Sequence, residues 1–442
     1  MNRNVIIVAL IISSIMVVAV LANFAPLMFL SIPLILIAVS SVFFSRGILI
    51  FLTTLCLTLT QSPFRMIHLA AVQLRWVFFV LFALHVFGDI FLGRTVRKIK
   101  GFDLLAFIFV VYTFLSAAYS PFPYLTLERS TTVLVLYISV FWIIWKYAYE
   151  QGPEKIIYLM LNVIKLIFIL SFLMVFISPQ RVFLSGRFQG ILQNPNSLGI
   201  TCAIFLPLML WQFLETKNKI TLFFFLLMLI SLFLTASRNS INASVIALGY
   251  FIYTRSMKKR PLIFFSSMSL ILILVWFMQT LAREFLHTYY RSGSIFSIGG
   301  RIEIWPMALN LIAEKPIFGY GFGVEEKILH LKNIILRNQL GGAAVHNSYL
   351  GIILQLGIVG FAIFFIPLFI LLLKELFSKQ DTPVLLLRHA LRATLIAGLM
   401  CSIFESWIYS VGNAQVFPFW IMVMLLVFYR YQDKEKVLPE DT

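Results

Sequence analysis

The chain has 442 residues, 61% of them hydrophobic and only 12% charged, with 45 phenylalanines. A water-soluble fold of this length cannot bury so much apolar surface, so a soluble enzyme is excluded and spans through a bilayer are required. The net charge of +17 would point a soluble chain toward nucleic acid, but here the basic residues fall between apolar runs, where they set membrane orientation, and no nucleic-acid partner is expected.

In chain order, the apolar runs predict helices at 5–22, 26–44, 47–60, 67–92, 102–118, 128–147 and 156–177. Further runs lie at 195–214, 219–235, 240–254, 261–280, 347–374, 387–408 and 415–430. The expected fold class is an all-α polytopic membrane protein with about 12–14 transmembrane helices, a single integral membrane domain over 1–442. No fixed-period repeat, low-complexity segment or soluble domain interrupts it. The first run, from Val5, reads as a retained helix, because no small-residue cleavage site follows Leu21. Cys56, Cys202 and Cys401 sit in apolar runs without metal spacing.

One set of loops carries the basic residues: Arg94, Arg97, Lys98 and Lys100, then Lys146 and Lys155, then Lys217 and Lys219. Arg255, Lys258, Lys259 and Arg260 continue the series, followed by Lys374 and Lys379, and by Arg430, Lys434 and Lys436 near the tail. The positive-inside rule makes this face cytoplasmic, with both termini and the short charged tail 432–442 on it. The loops near 119–127, 178–190, 235–239, 281–346 and 409–414 then lie outside.

The segment 281–346 is too polar for lipid and too long for a plain connection. Loops of this kind on a rigid scaffold commonly carry chemistry. Within it, 302–315 places Trp305, Leu309 and Ile312 on one side, and 324–338 places Ile328, Leu331 and Ile335 opposite Lys327, His330, Lys332 and Arg337. Both are expected as amphipathic helices on the outer membrane surface. Between them Gly319, Gly321 and Gly323 alternate in KPIFGYGFG, either a flexible turn that approaches a ligand closely or the plain end of one helix and start of the next.

Arginine on the outer side runs against the topology rule. Arg187, Arg238 and Arg301 are read as binding an anionic ligand, because the guanidinium fork suits phosphate or carboxylate. Arg129 and Arg181 are read as snorkelling to lipid headgroups or pairing with a nearby glutamate. His346, where the long loop re-enters the membrane beside Asn347, is the candidate general base, since imidazole exchanges protons near neutral pH. His287 and His330 lack such company. Glu405, in a late apolar run, is costly unless paired and is read as orienting His346 or an arginine; Glu303, Asn196 and Trp305 are further secondary candidates. There is no Asp-x-Asp, HExxH or outward carboxylate cluster, so no metal or other cofactor is expected. No phosphate-binding glycine loop follows a strand, so no nucleotide site is expected either.

The run GR-x3-W-x10-P-x2-G-x-G (Gly300, Arg301, Trp305, Pro316, Gly319, Gly321) and HN-x9-G-x2-G (His346, Asn347, Gly357, Gly360) resemble the O-antigen ligase and polysaccharide polymerase superfamily. GRFQGILQNPNSLG, TASRNS and SPFPYLTLERS are similar to other outer-loop signatures of that family, so the resemblance spans about 115–360. It implies a multi-helix, GT-C-like glycosyltransferase in the bacterial cytoplasmic (inner) membrane. Such an enzyme moves glycan en bloc from an undecaprenyl-diphosphate donor to an acceptor sugar hydroxyl on the periplasmic face, without metal and with inversion. The acceptor is a lipid-linked repeat unit for a polymerase, and lipid A-core or a protein for a ligase; membrane lipid and a chain-length regulator are further implied partners. By motif, Arg187 and Arg301 hold the donor diphosphate, Arg238, Asn347, Gly319 and Gly321 support substrate, and His346 is the base. The predicted span count departs from the ligases' usual number of about twelve. GYGFG and RIEIW lean toward an exopolysaccharide or O-antigen polymerase. A flippase or transporter is the rival class; it predicts charge at mid-membrane depth and repeated half-helices, and neither pattern is present.

Overall fold

A computed structural model describes residues 46–91, 101–257, 298–331, 344–378, 385–410 and 412–435, with a few positions between 266 and 277. The predicted spans 5–22 and 26–44, most of 261–280, the loop to 297 with His287, the basic residues Arg94–Lys100 and Lys258–Arg260, the second half of 324–338, Lys379, and the tail from 436 lie outside the described residues.

The helices are α1 (Arg46–Leu59), α2 (Arg65–Phe91), α3 (Phe102–Leu115), α4 (Pro123–Gln151, with a π turn at Ser139–Ile144) and α5 (Pro153–Ile177). A two-stranded hairpin, β1 (Phe183–Leu184) and β2 (Arg187–Phe188), comes next. Then follow α6 (Pro195–Thr216), α7 (Lys219–Leu234), α8 (Arg238–Ile252), α9 (Ile298–Glu314), α10 (Glu325–Leu331), α11 (Ser348–Leu376), α12 (Leu385–Cys401) and α13 (Val416–Glu435). Among the described residues five helices are long and apolar enough to cross a membrane: α2, α4, α5, α6 and α11. The starts follow local chemistry. Pro123, Pro153 and Pro195 occupy first turns, where a missing N–H costs nothing. Asn194, Asn218 and Asn347 accept the orphan N–H groups of α6, α7 and α11. α6 is buried along most of its length and packs on α8 and α12.

α11 is not continuous. Gly357 takes φ 65°, ψ −170°, and the helix breaks there. The carbonyls of Leu354, Gln355 and Leu356 accept from the Tyr320 N–H (3.1 Å), the Gly321 N–H (2.7 Å) and the Tyr112 hydroxyl (3.1 Å). Past the break, the Ile358 N–H donates to the Pro316 carbonyl at 2.9 Å. An interrupted helix at membrane depth is tolerated when neighbouring protein restores the lost bonds in this way. The GYGFG turn restores two of them, through the Tyr320 and Gly321 N–H groups. A Cβ on Gly319 would stand 2.5 Å from the Gln355 carbonyl carbon, and one on Gly321 would stand 2.5 Å from Ser120 Cβ. Gly319 and Gly321, expected to support substrate, lie against the α11 break and against Ser120, where their missing side chains allow the close approach.

Two further expectations are revised. α9 and α10 divide the expected stripes, burying one part and exposing the other. They bury Ala308, Leu311, Ile328 and Leu329 against Tyr320, Val324, Val345 and Leu354, while Leu309 and Leu331 point outward. α12 ends at Cys401 rather than running to 408, so Glu405 lies in the irregular segment after it.

At the far end of α11 the buried Glu375 carboxylate accepts from Arg388 (2.7 Å to each oxygen), Arg392 (2.9 Å) and Arg430 (3.3 Å), and Arg388 also meets Asp433 at 2.6 Å. Removing one member of such a cluster leaves uncompensated buried charge, at a cost of about 3–5 kcal/mol. Glu375→Gln is expected to lower thermal stability in detergent sharply; an unchanged unfolding temperature would contradict this account.

Candidate functional site

The loops near 61–64, 178–194, 235–239, 344–347 and 402–415 converge at the end where α11 begins. Gln193 donates to the Gln61 carbonyl (2.6 Å) and the Ser62 carbonyl (2.8 Å), Gln61 donates to Asn413 (3.0 Å), and Asn239 donates to the Cys401 carbonyl (3.0 Å). The start of α11 is stapled to the segment after α12. Ser348 N–H donates to the Ser402 carbonyl (2.8 Å), Ser348 Oγ–H to the Glu405 carbonyl (2.6 Å), and the Asn347 N–H to Ser406 Oγ (3.1 Å).

Four side chains form a continuous line here. Arg187 sits on β2 just after the Ser185–Gly186 turn, where both residues have positive φ, the geometry that closes a two-residue hairpin. Its Nε donates to the Thr235 carbonyl at 2.8 Å and its Nη2 to Asn196 Oδ1 at 2.6 Å. Asn196, in the first turn of α6, turns its Nδ2 to Glu405 Oε1 at 2.7 Å. The amide orientation follows from its neighbours: oxygen toward the cationic donor, NH2 toward the carboxylate. Glu405 Oε2 then faces His346 Nδ1 at 3.4 Å.

A carboxylate that only accepts pairs with the tautomer that bears its proton on Nδ1, and that tautomer keeps the Nε2 lone pair. The His346 side chain is 32% exposed and that of Glu405 14%, so the ring stands at the mouth with the carboxylate behind it. His346 has φ 52°, and Ala236, beside Thr235, has φ 49°.

The other candidates fall as follows. Arg238 opens α8, exposed, three residues after the carbonyl that Arg187 grips. Arg301 and Glu303 lie in the first turns of α9, and their side chains lie outside the described residues. Trp305, one turn on, donates from Nε1 to the Val345 carbonyl at 3.0 Å and stacks on Phe404. Asn347, expected to touch substrate, uses its side-chain oxygen to cap α11 through the Tyr349 and Leu350 N–H groups (2.9 and 3.1 Å) and is buried. Arg181 lies over the Phe64 ring, and Gly323 makes room for the stem of Arg129. His330 is exposed beside Glu326.

Sequence reasoning passed over Glu325, Gln355 and Tyr409. Glu325 is buried, and its carboxyl is pushed up by that burial against the opposing pull of the Val345 N–H, the Tyr409 hydroxyl, the His346 charge and the Gln355 amide. The available signal was Glu325 directly after the glycine turn, at the start of a short helix. Among the described residues no three His, Cys, Asp or Glu side chains gather to hold a metal ion.

Residues 223–365 match the family model described as O-antigen ligase. No curated protein matches the chain. The matched range takes in Arg238, Arg301, Trp305 and His346, whereas Arg187, Asn196 and Glu405 come from outside it.

Proposed function

The match over 223–365 supports a place in the O-antigen ligase and polymerase superfamily, and from it we propose a membrane glycosyltransferase of GT-C-like type that moves glycan from a polyprenyl-diphosphate donor to an acceptor sugar hydroxyl. The observation that carries this reading is the line Arg187–Asn196–Glu405–His346, drawn from three separated segments to one mouth. His346 Nε2 takes the acceptor hydroxyl proton as that oxygen attacks the anomeric carbon. The bond from that carbon to the diphosphate oxygen breaks with its electron pair going to the diphosphate. Attack from the opposite side inverts the centre.

Negative charge grows on the leaving diphosphate, and a guanidinium held in advance stabilises it more as the bond breaks than before. Arg187 is fixed in that way, with Arg238 nearby and Arg301 carried over by motif. Glu405 orients the imidazole and stabilises the imidazolium that forms. Diphosphate leaves without an acid, so the chemistry needs no metal, and a chelator is expected to leave turnover unchanged. The site faces the periplasm, and both termini face the cytoplasm.

Within this class we retain repeat-unit polymerisation, on the resemblance of GYGFG and RIEIW. Deletion of the gene, scored by gel for surface glycan, tests it. Loss of the chain-length ladder with single repeats left on the acceptor supports a polymerase; long chains retained on carrier lipid support a ligase. Unchanged glycan overturns the glycosyltransferase reading.

A further inference from the structure

The peptide that leads into His346 is gripped from both sides. Val345 is buried; its N–H donates to Glu325 Oε1 at 2.6 Å, and its carbonyl accepts from Trp305 Nε1 at 3.0 Å. One residue beyond the histidine, the Asn347 N–H is held by Ser406 Oγ at 3.1 Å. Between these clamps His346 adopts φ 52°, a left-handed conformation that a residue with a Cβ keeps only when its surroundings over-determine it.

Glu325 is the hub of that restraint. Its second oxygen accepts from the Tyr409 hydroxyl at 2.8 Å and from Gln355 Nε2 at 2.9 Å, and Gln355 Oε1 accepts from the Gly323 N–H at 2.7 Å. One carboxylate thus ties together the approach to His346, the seam at the break in α11, and the 402–410 segment that carries Glu405. Three donors converge on it, a backbone N–H, a phenol and an amide. In its ionised form the carboxyl accepts from all three, whereas a glutamine would bring a donor into a pocket of donors.

We infer that Glu325 is a positioning residue for glycan transfer: by fixing Val345 it holds His346 in the left-handed backbone from which the imidazole meets Glu405. The inference rests on the proposed role of His346 as base. Released from the clamp, the backbone at 346 relaxes toward negative φ and carries the ring away from Glu405. Misplacement of a reacting group by about 1 Å costs on the order of 10²-fold in rate.

The test uses the full-length protein in lipid nanodiscs. The donor is polyprenyl-diphosphate glycan extracted from membranes of a strain lacking this chain, and release of polyprenyl diphosphate is followed per folded molecule at varied donor concentration. Glu325→Ala is expected to lower kcat about 100-fold with KM within about twofold, and Glu325→Gln, which can still accept the Val345 N–H, to recover about tenfold of that loss. Trp305→Phe keeps the ring against Phe404 but loses the bond to the Val345 carbonyl, and a fall in kcat of about tenfold is expected. Wild-type kcat in Glu325→Ala overturns the inference. So do losses in yield of folded protein with unchanged turnover in what remains. If Glu325→Ala does not fold, unchanged kcat in both Glu325→Gln and Trp305→Phe overturns it. His346→Ala in the same assay separates the two claims. Activity there removes the base itself, whereas an inactive His346→Ala beside a fully active Glu325→Ala removes only the role of Glu325.

Discussion

His346→Asn is expected to cut glycan transfer by about 10²- to 10⁴-fold, the usual contribution of a positioned general base, while the protein still folds. Asparagine suits the left-handed backbone at 346 better than most residues, so the variant removes the imidazole without disturbing φ 52°. The ring is partly exposed and faces the Glu405 carboxylate. Glu405→Gln in parallel is expected to fall between wild type and His346→Asn. It keeps the side chain's size but removes the negative charge that faces imidazolium, and its NH2 sets a donor against either Asn196 Nδ2 or His346 Nδ1. Turnover of purified His346→Asn at the wild-type rate would sink the mechanism.

Arg187→Lys is the second large effect, with kcat and kcat/KM both expected to drop about 10²- to 10³-fold. The substitution conserves charge but not geometry. Arg187 uses two donors of one rigid plane, Nε to the Thr235 carbonyl and Nη2 to Asn196 Oδ1, and an ammonium cannot occupy both directions. With Nη2 gone, Asn196 no longer has its oxygen held, and its grip on Glu405 loosens. A lysine variant that raised only KM would mean that Arg187 serves ground-state binding rather than the leaving diphosphate. Retention of full activity would argue against a diphosphate clamp altogether.

The placement of Glu405 shows where sequence reading stopped. As a carboxylate in an apolar run it demanded a partner, and that much followed from desolvation alone. Which partner could not follow, because Asn196 stands 209 positions away and His346 59 positions away. The glycine turn left a different question open. Alternating glycines announce a close approach but not what approaches, and here it is the broken backbone of α11. Glu325 beside Glu326 is the sharpest case: adjacent identical residues, one buried as a hub and one exposed in solvent.

By itself the sequence determined the membrane class, the helix starts near Pro195 and Asn347, and the outer-side arginines and histidine as the residues to watch. These are local or compositional properties, set by hydrophobic run length, capping and charge. Only the tertiary structure decided that Arg187, Asn196, Glu405 and His346 form one line, that α11 breaks at Gly357, and that Glu325 stands beneath the histidine. Each depends on contacts between segments tens to hundreds of residues apart, and hydrogen bonds at that separation leave no periodicity in the chain to read.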